Sequence, residues 1–168
     1  MYSINDARLN SGKCNSPVVI DCDTGRDDAL TLWLARHLGL KLKAVITSYG
    51  NAVLPQTTEN TLRALQLVFS DKEVSQITYK GVQSPFKEHK LFRPLVLDRH
   101  KINGNGLCNV ELPEINPETK AGRSKDLNDF VQDLTSSSDR FHYVCIGPLS
   151  NLHEVLLNIK DTSLNPGD

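Results

Sequence analysis

Apolar positions along the chain fall into two rhythms. Pro17-Val18-Val19-Ile20 is a short β-branched run closed by Asp21-Cys22-Asp23-Thr24-Gly25, which predicts a buried strand and then a loop. Ala29, Leu30, Leu32, Trp33, Leu34 and Leu38 then cover most of a helical surface up to Gly39, predicting a mostly buried helix that the glycine ends. Lys41 to Ser48 reads as a second strand with Tyr49-Gly50-Asn51 at its carboxyl end, and Pro55 opens a helix carrying Leu62, Leu65, Val68 and Phe69. Ile77 to Lys80 is a short third strand. Ser124 to Ser136 has Leu127, Phe130, Val131 and Leu134 on one helical face, and Phe141 to Ile146 is a fourth strand ended by Gly147-Pro148. A last helix carries Leu152, Val155, Leu156 and Ile159. Strand, helix, strand, helix predicts an α/β domain with an open, mostly parallel, doubly wound sheet. Between Gly81 and about Gly122 the periodicity is weak, which predicts a long active-site-type loop or a poorly ordered lid.

The first strand runs into four carboxylates, Asp21, Asp23, Asp27 and Asp28, within eight residues. In an open α/β sheet the carboxyl ends of the strands are where ligands bind. Alternation puts Asp21 and Asp23 on one face and Cys22 on the other, while Asp27 and Asp28 fall at the mouth of the following helix. A helix N-terminus keeps carboxylates ionised, and four of them stay charged together only beside a cation. Oxygen ligands without His or Cys favour calcium or magnesium over zinc. The competing local reading makes Asp27 a helix cap and Asp21 a buried acceptor. If the first two strands are parallel neighbours, Asn51 arrives beside the acidic loop.

Composition narrows the partners. With 168 residues the chain is long enough for one cored domain, expected over 17–168 behind a polar N-terminal extension, 1–16. A net charge of −1 with both signs dispersed offers no footprint for nucleic acid or an anionic membrane, so a small solute is the expected partner. No run approaches a membrane span and Met1 to Ser16 lacks the apolar stretch of a signal peptide, so a cytoplasmic setting is expected. Cys14, Cys22, Cys108 and Cys145 show no paired spacing and are expected to be reduced thiols.

Asp21-Cys22-Asp23-Thr24-Gly25-Arg26-Asp27-Asp28 fills every position of the D-x-D-x-G-x-D-D hallmark of the inosine-uridine preferring nucleoside hydrolases, and the chain resembles that family. The likeness continues through Ile46-Thr47-Ser48-Tyr49-Gly50-Asn51, through Thr57-Thr58-Glu59-Asn60-Thr61-Leu62, and through Ile146-Gly147-Pro148-Leu149-Ser150-Asn151, which is similar to the family's G-P-L-[TS]-N turn. The resemblance implies a Rossmann-like nucleoside hydrolase fold and hydrolysis of the N-glycosidic bond of ribonucleosides to ribose and free base. It implies a calcium ion held by Asp23, Asp28 and the main-chain carbonyl of Ile146, ribose contacts from Asp27 and Asn51, and proton removal from the attacking water by Asp23. Asp21 is expected to sit behind these ligands as an acceptor that orients the loop. An oxocarbenium-like transition state explains the anionic surroundings.

The family is roughly twice this length, and its second half supplies further ligands and a His near the leaving base, so the chain reads as an N-terminal half truncated at its C-terminus. Its middle motif also departs: where family members often carry a His, this chain has Ile102 or Asn103, with His100 nearby. Base selectivity is expected to lie in the Phe86 to Val110 loop or beyond this chain. Half a wound sheet leaves an apolar edge, from which a homo-oligomer is expected. Two alternatives stand beside the main reading. One is a catalytically incomplete relative that binds calcium and ribonucleoside without turnover. The other is a haloacid dehalogenase-type phosphatase with Asp21 as nucleophile, although Gly25 stands where that class carries Thr or Val.

Overall fold

The structure, a computed structural model, describes residues 16–84, 105–121, 125–137 and 140–160. Five parallel strands, β1 (Val18–Cys22), β2 (Leu42–Thr47), β3 (Thr78–Lys80), β4 (Lys125–Asp126) and β5 (His142–Cys145), form one sheet in the order β4-β3-β2-β1-β5. Helices α1 (Arg26–His37), α2 (Leu54–Leu65), α3 (Asp71–Ile77), α4 (Pro117–Ala121), α5 (Leu127–Thr135) and α6 (Ser150–Lys160) alternate with them. From β1 the chain steps outward through β2, β3 and β4, then returns to the other side of β1 as β5. The strand order therefore reverses at β1, the position where such sheets bind ligands.

The alternation read from β1 sorts its side chains correctly. Val18, Ile20 and Cys22 join Val45, Ala29, Leu32, Ala35, Ala64, Leu65 and Val74 in one core layer, beneath α1, α2 and α3. Val19 turns the other way, with Ala44, Ile46, Tyr79, Phe130, Leu134 and Val155, beneath α5 and α6. Tyr79 and Phe130 meet edge to face, their centroids 5.4 Å apart. One layer buries ten residues and the other seven, and this burial is the main stabilising term for a sheet covered on both faces.

Several local expectations are corrected. Helix α1 is one-sided rather than mostly buried: Leu30 and Leu34 are 61 % and 54 % exposed, because only the Asp28, Ala29, Leu32 and Ala35 side faces the sheet. On β5, register with Ile20 puts Val144 on the same layer as α1, and it too remains 40 % exposed. Helix α3 was not expected; Ser70 starts it by accepting from Glu73 N–H while the Glu73 carboxylate accepts from Ser70 N–H. The start of the predicted Ser124 to Ser136 helix is instead the short strand β4, and Asp126 caps the helix proper, accepting from the N–H groups of Asn128 and Asp129. Gly39 ends α1 as expected, at φ +69°. Cys22, Cys108 and Cys145 are free thiols. Among the described residues no helix is long and apolar enough to cross a membrane. The expected N-terminal extension lies outside the described residues except for Ser16, as do Cys14, His100, Ile102 and Asn103.

Candidate active site

Because β1 and β2 are parallel neighbours, they deliver their carboxyl-end loops side by side, and Asn51 joins the two. Its backbone N–H donates to Asp23 Oδ2 at 2.7 Å. Its side-chain amide donates to the Asp23 carbonyl at 3.2 Å and to Asp28 Oδ2 at 3.3 Å. Asp28 Oδ2 also accepts from Gly25 N–H at 2.8 Å, closing the first turn of α1 on its own cap. Gly25 holds the cap position that the local reading gave to Asp27, and Asp27 lies exposed in the first turn. The approach of the two loops requires glycine at both hinges. A Cβ on Gly50, whose φ is +154°, would collide with Asp23 Oδ2, and one on Gly25 would lie 2.5 Å from Asn51 Nδ2.

The four carboxylates divide into a group and an outlier. Asp28 feels the charges of Asp23 and Asp27, and Asp23 that of Asp27. Asp28 is buried, and burial with the neighbouring charges of Asp23 and Asp27 lifts its pKa to about 6, against the pull of the Gly25 N–H. Asp23 is likewise raised, by burial first and by Asp27, with the Asn51 N–H opposing. Asp21 points beneath this group. It has no exposed surface, and its carboxylate accepts from Asn151 Nδ2 at 2.8 Å and from the Tyr143 hydroxyl at 2.8 Å, with the Cys145 thiol at 3.6 Å. Burial raises its pKa despite these donors. The phosphatase alternative, which needs Asp21 open to substrate as nucleophile, has no support in this geometry.

The third strand end completes the floor. Ile146 and Gly147 donate their N–H groups to the Asp21 carbonyl at 2.8 and 3.3 Å. Gly147 packs so close that a Cβ there would lie 3.0 Å from both Asp23 N and Asp23 Oδ1. The structure thus brings Asp23, Asp28 and Asn51 into one cluster, sets the Ile146–Gly147 segment against it, leaves Asp27 at its exposed rim and Asp21 below.

These groups fit a hard cation. The ion pairs among the described residues, Arg63–Glu59 and Lys125–Asp133, leave the acidic cluster without a cationic partner, and its donors are all oxygens. No three His, Cys, Asp or Glu side chains among the described residues converge as a metal cluster by themselves. A cation held by Asp23 and Asp28 therefore also needs main-chain oxygen and water, as calcium sites commonly use.

Residue-by-residue reading overlooked what supports the loops. Thr57 Oγ1 donates to the Ser48 carbonyl at 2.7 Å, Thr58 and Thr47 share a hydroxyl contact at 2.8 Å, and Thr61 and Thr24 share one at 2.6 Å. Asn60 Nδ2 donates to the Thr24 carbonyl at 3.1 Å and to the Asn105 carbonyl at 2.7 Å, tying the acidic loop to the segment that returns after residue 104. The available signal was the set of hydroxyls and an amide, Thr57, Thr58, Asn60 and Thr61, on the buried side of a helix where apolar residues belong. Among the described residues no buried side-chain nitrogen or oxygen lacks a partner.

Known proteins share the chain's sequence pattern and its fold. Residues 18–163 match the family model described as inosine-uridine preferring nucleoside hydrolase. The pyrimidine-specific ribonucleoside hydrolase RihA of Salmonella schwarzengrund is 33 % identical over 143 residues, 84 % of this chain and 42 % of the relative. The fold is shared with a purine-preferring ribonucleoside hydrolase from Gardnerella vaginalis, at a TM-score of 0.61 and 22 % identity over 87 % of this chain and 45 % of that one. It is also shared with a plant nucleoside hydrolase, at 0.65 and 24 % identity over 86 % and 43 %. The chain thus spans less than half the length of these relatives, and by its match to the family model it belongs to the inosine-uridine preferring nucleoside hydrolase family.

Proposed function

We propose that the chain carries the ribose-holding and water-activating part of a ribonucleoside hydrolase that cleaves the N-glycosidic bond with bound calcium. The observation that carries the reading is the junction at Asn51, which holds the Asp23 and Asp28 carboxylates together with no basic partner among the described residues. Asp23 and Asp28 would hold the calcium with the Ile146 carbonyl. When bound, the ion supplies a fixed positive centre that orients the sugar hydroxyls and the attacking water.

The remaining work falls to side chains. Asp23 takes the proton as water attacks the anomeric carbon. Its Oδ2 is fixed by the Asn51 N–H, so the carboxylate cannot swing away from the sugar. Asp27, at the exposed rim, and the Asn51 amide contact the ribose hydroxyls. Negative charge concentrated on one side of the ring stabilises an oxocarbenium-like transition state. Asp21 holds the loop from below. The named relatives include pyrimidine-specific and purine-preferring hydrolases, so the substrate class proposed is the ribonucleosides as a whole. Self-association belongs to the same proposal, supported by the exposed Leu30, Leu34 and Val144.

The test is ribose release from inosine and uridine by the purified 168-residue chain with calcium, using Asp23→Asn as control. Release by the wild type and not by the control is expected. Near-normal release by Asp23→Asn sinks the mechanism. Calcium binding by the folded wild type without release favours the non-catalytic alternative.

A further inference from the structure

The side chain of Asn151, the second residue of α6, is fully buried and touches three strand ends at once. Its Nδ2 donates to Asp21 Oδ1 at 2.8 Å and to the Thr47 carbonyl at 3.2 Å, while its Oδ1 accepts from Val82 N–H at 2.8 Å. The exits of β1, β2 and β3 are thereby fastened to one amide. Two donors and an acceptor within so short a reach are a property of the asparagine side chain that neither a carboxylate nor a hydroxyl matches. The space around it is tight, since a Cβ on Gly81 would collide with Asn151 Oδ1 and with the Thr47 carbonyl.

Asp21 passes the constraint onward. One oxygen is held by Asn151 and the other by the Tyr143 hydroxyl, from β5. The Asp21 carbonyl accepts from Ile146 and Gly147, and Gly147 lies against Asp23. A continuous path runs from Asn151 through Asp21 and the Ile146–Gly147 peptide to Asp23.

The geometry points to Asn151 as a positioning residue that sets, through Asp21, the spacing between the Asp23 carboxylate and the Ile146–Gly147 peptide. The inference rests on the calcium reading above and extends it to a residue outside the proposed ligand set. Groups that hold metal ligands in place typically change metal affinity by about 10- to 100-fold when removed.

The decisive variant is Asn151→Asp, read by calorimetric titration of the full chain with calcium and by circular dichroism. Charge alone makes the added carboxylate attract calcium more strongly. Positioning predicts the opposite, because a carboxyl cannot donate to Asp21 and to the Thr47 carbonyl together, and two carboxylates 2.8 Å apart repel until one takes up a proton. The expected result is calcium binding weakened about tenfold or more in a folded variant. The reciprocal pair Asp21→Asn/Asn151→Asp restores the donor and acceptor between the two positions at the wild-type charge but leaves the Thr47 carbonyl without its donor, so calcium affinity is expected to recover in part, and no recovery in a folded pair overturns the route through Asp21. Asn151→Asp binding calcium as tightly as the wild type, or more tightly, overturns the inference while leaving the calcium reading intact. A folded wild type that takes up no calcium overturns both. If Asn151→Asp does not fold, Gly81→Ala takes its place, since its methyl presses on the same amide from the end of β3. Weakened calcium binding by Gly81→Ala then supports the inference, and wild-type binding overturns it.

Discussion

The backbone N–H of Asn51 donates to Asp23 Oδ2 across 2.7 Å, joining loops that leave two adjacent strands 28 residues apart in sequence. Asn51 has two separable functions here, since the bond to the Asp23 carboxylate belongs to its backbone and the bonds to the Asp23 carbonyl and to Asp28 belong to its side chain. Asn51→Leu keeps the first and removes the second. Losing a hydrogen bond to a charged group costs about 1.5–3 kcal/mol. Equilibrium binding of inosine and uridine is therefore expected to weaken by roughly 10- to 100-fold, with circular dichroism unchanged. Unaltered binding would remove Asn51 from the ribose site.

Gly50 is where the second loop presses on the first. A methyl at this position meets Asp23 Oδ2, and the positive φ disfavours any side chain. Gly50→Ala must displace either the Asp23 carboxylate or the loop. Thermal unfolding is expected to show a loss of about 1–3 kcal/mol, accompanied by weaker calcium binding. Gly39→Ala is the control: it carries the same class of backbone strain at φ +69°, with nothing within 4 Å, and should leave calcium binding alone.

Much of this architecture was legible because period-2 and period-3.6 patterns are written by burial. The alternation in Val18–Cys22 sent Cys22 and Asp21 to opposite layers, and the strand–helix order implied the parallel neighbours that bring Asn51 to Asp23. Helix α3 stayed hidden because seven residues with one buried side chain, Val74, are too short for a period to register. The exposed side of α1 stayed hidden for another reason: Leu30 and Leu34 carry the signature of burial, and composition does not say what they pack against. The role of Asn151 was unreadable, since its partners Asp21, Thr47 and Val82 lie between 69 and 130 residues away.

The hydroxyl pair Thr24–Thr61, 2.6 Å apart and fully buried, anchors the acidic loop to α2. Thr61 also donates to the Thr57 carbonyl at 2.8 Å, so its hydroxyl spans helix and loop. Thr61→Val preserves shape and removes both contacts, leaving Thr24 the weaker Cys22 thiol at 3.4 Å. A buried hydroxyl that loses its partner costs about 1–3 kcal/mol. The midpoint of urea unfolding is expected to fall accordingly, with the slope unchanged. A variant as stable as the wild type would mean that Asn60 suffices to hold the loop to α2.

The acidic cluster also fixes how the chelated chain responds to pH. Asp21, Asp23 and Asp28 all have raised pKa values, from burial first and then from neighbouring carboxylates, Asp23 for Asp21, Asp27 for Asp23, and both Asp23 and Asp27 for Asp28. A carboxyl whose native pKa exceeds its unfolded one binds more protons when folded. Its contribution to stability is complete below the unfolded pKa and disappears as pH rises through the native value. For Asp28 that window runs from 3.8 to about 6. With chelator present, the melting temperature is therefore expected to fall as pH rises across this window, and Asp28→Asn should flatten the fall. Calcium added near neutral pH should reverse it, because a ligand that binds the folded state alone stabilises that state. A melting temperature that climbs with pH through the same window would mean that the cluster is neutralised by a group other than a bound cation, and the calcium assignment would go with it.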